Sequence, residues 1–215
     1  QKLVFGAKPI QELGESLTSI QTISGSGANS LIARFLRDSF TPSAVWLPDP
    51  TWDNHHQIWQ EFAPNCTQKK YPYFDPTING FGFQRMISHL EEHAHQGEVI
   101  VLHACAHNPT GSDPTPRQWE DIASLCERKG LFVIFDLAYQ GFASGDLAQD
   151  AFAVRHFASR PGIEMAVCQS FSKNLGLYGE RAGALHVLAS RESQGLTSST
   201  GIRSHLVRLQ RADFS

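Results

Sequence analysis

Two short apolar runs constrain this chain more than any other feature: residues 99–104 (Val-Ile-Val-Leu-His-Ala) and residues 131–135 (Leu-Phe-Val-Ile-Phe). Continuous apolar runs of five or six residues suit strands buried on both faces, and they are too short for independent buried helices. Between them, residues 116–129 carry Trp119, Ile122, Ala123, Leu125 and Cys126 at helical spacing, and Gly130 ends the stretch. Buried strands joined through a helix lie parallel in one sheet. The fold class that follows is α/β, a mainly parallel sheet with helices on both faces. In such sheets ligands bind outside the carboxyl ends of the strands.

The rest of the chain fits that plan. Residues 1–23 are mixed and end β-branched, before Ser24-Gly25-Ser26-Gly27 and a helix with Leu31, Ile32, Phe35 and Leu36 on one face. Ala44 to Leu47 reads as a strand broken by Pro48 and Pro50, and a helix carrying Ile58, Trp59 and Phe62 follows. Tyr71 to Phe74 reads as another short strand. Phe83 to Ala94 reads as a helix whose Glu91, Glu92 and His93 make a solvated face, with His95 just beyond. Val154 to Ser159 is expected to be helical, and Met165 to Cys168 and Ala182 to Leu188 to be strands.

Chemistry-bearing residues collect where these strands end. Lys173 falls on the connection between the last two strands, with the Ser170 and Ser172 hydroxyls beside it and Arg181 eight positions on. An amine among small polar residues suits a phosphorylated aldehyde cofactor: the lysine forms the Schiff base, and serine and arginine hold the phosphate. An ordinary surface lysine is the competing reading. The Ser24–Gly27 segment at a helix start is either an anion site or a plain serine cap. Asp136 follows five apolar residues, so it either caps the next turn or meets a cation such as a protonated ring nitrogen. Trp52 is either a stacking platform or core filler. His103, Cys105 and His107 lack a second cluster to complete a tetrahedral set, so no metal is expected.

The formal net charge of −3 gives no case for nucleic acid or an anionic membrane as partner. No stretch approaches the roughly 20 apolar residues of a membrane span. The four cysteines form no CxxC pair, which favours free thiols in a reducing compartment. The opening, Gln1-Lys2-Leu3, shows no signal-peptide pattern. A cytoplasmic location is expected, with a mitochondrial one left open because any targeting segment would precede Gln1.

Five segments together carry a resemblance: Ser24–Gly27, Pro50–His55, residues 103–111 (His-Ala-Cys-Ala-His-Asn-Pro-Thr-Gly), residues 135–145, and residues 170–181 (Ser-Phe-Ser-Lys-Asn-Leu-Gly-Leu-Tyr-Gly-Glu-Arg). In order and spacing the chain resembles the aspartate aminotransferases over essentially its whole length. The resemblance implies pyridoxal 5′-phosphate on Lys173, which would also move the substrate α-proton. It implies Asp136 on the pyridine nitrogen, supported by His55 and His103. Tyr139 and Asn108 would bond the phenolic oxygen and keep the Schiff base's pKa low, and Trp52 would stack on the ring. Ser24, Gly25, Ser26, Ser170 and Arg181 would hold the phosphate. Cis peptide bonds are implied at Asp49-Pro50 and Asn108-Pro109.

Arg211 would recognise the side-chain carboxylate of a substrate in the neighbouring subunit of a homodimer, a role that suits a bidentate guanidinium. A helix-surface arginine is its alternative reading. Substrate binding would thus use Trp52, Asn108 and Arg211, and the implied substrates are L-aspartate, L-glutamate, oxaloacetate and 2-oxoglutarate. The resemblance also implies that residues 1–215 are the cofactor-binding large domain, with an N-terminal arm and a C-terminal small domain absent. An aromatic aminotransferase, or a catalytically silent dimerisation or binding module, are the competing functions.

Overall fold

The computed structural model describes residues 1–190 and 199–214. In chain order the elements are α1 (Lys2–Phe5), α2 (Ala7–Leu13), a 3-10 turn (Gly14–Ser16), β1 (Leu17–Ile23), α3 (Ser24–Ser39), β2 (Ala44–Asp49) and α4 (Asn54–Phe62). Next come β3 (Thr67–Pro72), β4 (Phe74–Asp75), β5 (Gly80–Phe81), α5 (Phe83–His93), β6 (Val99–His103), α6 (Pro116–Lys129) and β7 (Phe132–Leu137). The chain continues with α7 (Leu147–Asp150), α8 (Phe152–Ser159), β8 (Met165–Ser170), β9 (Ala182–Leu188) and α9 (Ser199–Phe214).

A seven-stranded sheet runs in the order β1-β9-β8-β7-β6-β2-β3. From β3 to β8 every pairing is parallel, and β9 and β1 add antiparallel pairings at the other side. The mainly parallel sheet expected from the apolar runs is therefore present. Alternation along the strands divides the core into two layers. Val133, Phe135 and Leu137 of β7 face the layer that includes α5, α6 and α8, while Phe132 and Ile134 face the layer of α3, α4 and α9. Asp136 shares the second parity, so its carboxylate points toward α3 and α4. Phe135, fully buried, meets Phe157 at 4.9 Å between ring centroids, and burying such a side chain stabilises by about 1.5–3 kcal/mol.

Helix α6 has the boundaries its sequence signals. Thr115 and Gln118 form a reciprocal capping box, Pro116 opens the helix, and Gly130 closes it at φ 61° in the left-handed region. Two strand readings need correction. β2 runs through Pro48 instead of stopping at Leu47, because β6 pairs only with Val45 and Trp46 and beyond them one flank of β2 needs no ladder donor. The strand expected at Tyr71–Phe74 is instead β3 at 67–72, and Phe74 starts a separate two-stranded ribbon. As an edge strand, β3 carries Lys69 and Lys70, which hid it from an apolar pattern. Both Asp49-Pro50 and Asn108-Pro109 are cis.

Candidate active site

The carboxyl ends of β2, β6, β7 and β8 meet the N-terminus of α3 around one cavity of about 540 Å³, part of it open to solvent. Ser24, Gly25 and Ser26 form one wall, with Ser170, Ser172, Lys173 and Arg181 beside them. The opposite side carries Trp52, His103, Asn108, Asp136 and Tyr139. The structure thus brings these residues, which the sequence reading singles out, to one cavity. Two residues lie elsewhere. His55 is buried behind Asp136, and Arg211 is exposed on α9, away from the cavity wall.

The serine end is assembled by close backbone approach. A side chain on Gly25 would begin 3.0 Å from the Ser170 Cβ, a tight contact, so glycine eases the approach of α3 to β8 here. No side-chain hydrogen bond caps α3. The Ser24 hydroxyl instead bonds the hydroxyls of Ser170 (3.0 Å) and Ser172 (2.7 Å), which sets aside the plain-cap reading. Arg181 Nη1 donates to Ser172 Oγ at 3.2 Å. Three hydroxyls, a guanidinium and a helix N-terminus therefore converge, a donor set made for a phosphate. Ser172 belongs to this set on the strength of its bonds; its sequence offered only a nearby hydroxyl.

At the other end a directed relay leads to Asp136. The Asn108 backbone N–H donates to His103 Nδ1 at 3.3 Å, so that nitrogen is an acceptor and Nε2 carries the proton. His103 Nε2 then donates to Thr51 Oγ1 (3.2 Å), which pairs with His55 Nδ1 (2.8 Å). His55 Nε2 donates to Asp136 Oδ2 at 3.1 Å. Burial, and then the neighbouring His107 and His55, hold His103 well below the usual histidine range, consistent with a neutral ring in the relay. Sequence reading missed Thr51. It lay inside a recognised segment, but its role arises from bridging His55, four residues on, to His103, which the fold brings in from 52 residues away.

Trp52, half-buried, lines the cavity and packs edge-on to the His55 ring at 5.3 Å. The Lys173 ammonium lies 5.4 Å from the centroid of the Tyr139 ring. Burial, and then the Asp136 charge, raise the Tyr139 phenol above its ordinary range, so it is a hydrogen-bond donor at neutral pH. His107 does not join the wall: it stacks on Tyr73 at 3.7 Å and 12°, and its Nδ1 pairs with Thr110 Oγ1. Burial raises the Cys105 thiol, with Asp150 the next contribution, so Cys105 is no thiolate. The histidines of this loop serve hydrogen bonding and packing.

An open α/β sheet with an amine, a buried carboxylate and a phosphate cradle at its strand ends defines a class of cofactor-dependent group-transfer proteins. The sequence model of the Aminotransferase class I and II family matches residues 10–212, and the chain belongs to that family. It is 46% identical over 219 aligned residues to an L-tyrosine:2-oxoglutarate aminotransferase of Aspergillus ustus, covering 99% of this chain and 41% of that protein. It is 45% identical to the mitochondrial aspartate aminotransferase of Schizosaccharomyces pombe, covering 94% of this chain and 45% of that one. Among solved structures it is similar to an aromatic-amino-acid aminotransferase of Burkholderia pseudomallei covalently bound to pyridoxal phosphate. There the TM-score is 0.88 at 34% identity, covering 100% of this chain and 52% of the other. The chain spans about half the length of the relatives it matches.

Proposed function

We propose that the chain is the cofactor-binding large domain of a pyridoxal 5′-phosphate-dependent aminotransferase that moves an amino group between L-aspartate and 2-oxoglutarate, with oxaloacetate and L-glutamate as products. The observation that carries this reading is the convergence of Lys173, Asp136 and the serine–arginine cradle on one cavity. The residues fit the cofactor. Ser24, Gly25, Ser26, Ser170, Ser172 and Arg181 would hold its phosphate, and Trp52 would cover its ring and exclude water. Pyridoxal 5′-phosphate supplies an aldehyde for a lysine amine and a ring that accepts electrons when its nitrogen is protonated.

The chain's own residues do the rest. Lys173 Nζ would hold the cofactor's aldehyde and would carry the proton of the substrate α-carbon. Asp136, oriented by His55, would keep a proton on the ring nitrogen, because a buried carboxylate favours a cation opposite it. Asn108 and Tyr139 would donate to the phenolic oxygen. Arg211, on the outer helix α9, would serve a dicarboxylate in the other subunit of a homodimer, giving shared active sites. The relative named a mitochondrial aspartate aminotransferase supports the substrate choice. Cys66, Cys105, Cys126 and Cys168 are all free and buried, which favours a reducing compartment, the cytoplasm first and the mitochondrion second.

The identity to a tyrosine:2-oxoglutarate enzyme favours an aromatic substrate as second reading. One titration separates the readings. The protein is mixed with pyridoxal 5′-phosphate, the visible band is recorded, and aspartate or tyrosine is then added. Loss of the band with aspartate supports the first reading, and loss with tyrosine alone supports the second. A band indifferent to both marks a binding module without turnover. No band at all overturns the cofactor assignment.

A further inference from the structure

Tyr139 opens a tight turn, and a buried carboxylate outside the cavity builds that turn. The Phe142 N–H donates to the Tyr139 carbonyl at 2.9 Å. Asp150 Oδ2 accepts from the N–H groups of Gly141 (2.7 Å) and Ala143 (3.1 Å). Asp150 Oδ1 accepts from the N–H (3.0 Å) and the hydroxyl (2.6 Å) of Ser144. Gly141 sits at φ 94°, where a side chain is strained, so the chain there follows the carboxylate. Asp150 is 5% exposed, and its charge is met by these dipoles. The other flank is also tied: the buried Gln140 amide donates to the Leu3 carbonyl (2.7 Å) and the Leu147 carbonyl (2.9 Å).

We propose that Asp150 is a positioning residue for the transamination site: by templating residues 141–144 it fixes the Tyr139 phenol beside Lys173. This inference rests on the cofactor reading given above. Gln140 ties one flank of the turn, also accepting from Gln169 Nε2 of β8 at 3.5 Å, while Asp150 alone gathers the N–H groups of Gly141, Ala143 and Ser144; without it the turn that Tyr139 opens is held on one flank only. A carboxylate is the group the position needs. It accepts from all four donors at once, whereas an amide would turn an NH₂ toward N–H groups and lose at least one of them.

The test uses Asp150→Asn, Ser144→Ala and Tyr139→Phe, each with pyridoxal 5′-phosphate, and reads the pH midpoint of the visible band. Tyr139→Phe is expected to move that midpoint. Asp150→Asn should move it the same way by at least half as much, and Ser144→Ala, which removes one donor, by a smaller amount. In a Tyr139→Phe background Asp150→Asn should add nothing, because residues acting through one another are non-additive. An unmoved midpoint in Asp150→Asn, or an equal shift in both backgrounds, overturns the proposal. A second arm needs no cofactor: with ¹³C-labelled tyrosine, Asp150→Asn or Ser144→Ala should move or broaden the Tyr139 ring signal. An unchanged ring signal also overturns the proposal. Absence of a visible band in the unsubstituted protein would instead sink the functional reading, and the ring signal would still decide the role of Asp150.

Discussion

Ser24 and Arg181 hold each other in the left-handed region of backbone space: the Ser24 N–H donates to the Arg181 carbonyl at 2.9 Å, with φ of 59° and 50° respectively. Neither is glycine, and such conformations cost about 1–3 kcal/mol each. The bond clamps the start of α3 to the loop that precedes β9. It brings the serine hydroxyl and the guanidinium to the same end of the cavity.

That clamp depends on the neighbouring glycine. A Cβ on Gly183 would meet the Ser24 carbonyl carbon at 2.5 Å and the Gln169 carbonyl oxygen at 2.7 Å, all backbone atoms that have no rotamer to yield. Gly183→Ala should therefore push β9 from α3, destabilising the fold by about 1–3 kcal/mol and weakening phosphate binding. Denaturant unfolding and pyridoxal 5′-phosphate titration check it. A variant equal to the parent in both would show that the strands have slack.

Lys173→Ala should leave the secondary structure intact and abolish covalent retention of pyridoxal 5′-phosphate after borohydride reduction. Mass spectrometry reads the adduct directly. A reduced adduct that persists in the variant moves the covalent role to another amine.

The relay makes a prediction about Thr51. Thr51→Val keeps the shape but leaves His103 Nε2 without its acceptor and His55 Nδ1 without its partner, both buried. Each unpaired group should cost about 1–3 kcal/mol, and Thr51→Ser should recover most of the loss. Urea midpoints of the three proteins suffice. A Val variant as stable as the Ser variant would show that the hydroxyl is dispensable.

Acid should weaken the fold earlier than carboxylates alone require. Burial, the largest cause for each, lowers His107 and His186 to about 3, from an ordinary value near 6.5. The folded form resists protons that the unfolded chain accepts, so this stability is complete above about pH 6.5 and is lost as pH falls toward 3. Each ring contributes up to about 1.4 kcal/mol per pH unit in that window. Unfolding free energies between pH 6.5 and 5 should fall less steeply in His186→Gln than in the parent. Parallel slopes would remove His186 from the account.

Arg211 tests the shared site. Arg211→Ala should retain the cofactor and weaken dicarboxylates by about 2–5 kcal/mol, with neutral amino acids affected much less. In mixed dimers of Arg211→Ala and Lys173→Ala chains, one site inherits both defects and the other neither. Activity regained on mixing is the expected result. Demonstrated heterodimers that stay inactive would assign Arg211 to its own chain.

The sheet and the cavity were legible because most of the chemical residues fall at or just past the end of an apolar run, as Asp136 follows Phe132–Phe135. What hid was of two kinds. β3 is a polar edge, and Pro48 continues a strand because its neighbour has ended, so both depend on sheet position and not on local pattern. Thr51, Ser172 and Asp150 act through partners brought in by the fold. Asp150 stands fourteen positions after Asp136, and only the turn between them, folded back, shows what it grips.

The loop of residues 171–181 leaves the sheet at Ser170 and rejoins it opposite, where Ser170 pairs with Gly183. Its base is closed again by the Phe171 N–H on the Ala182 carbonyl at 3.0 Å. Lys173 and Arg181 sit near this base, whereas Leu175 and Tyr178 project outward at 56% and 61% exposure. Space is open around Gly176 and Gly179 and closed around Gly183. The hairpin-like base thus divides the loop within a dozen residues. A side chain added at Gly179 would meet open space, whereas the feet must keep their spacing for the amine and the guanidinium to stay in register.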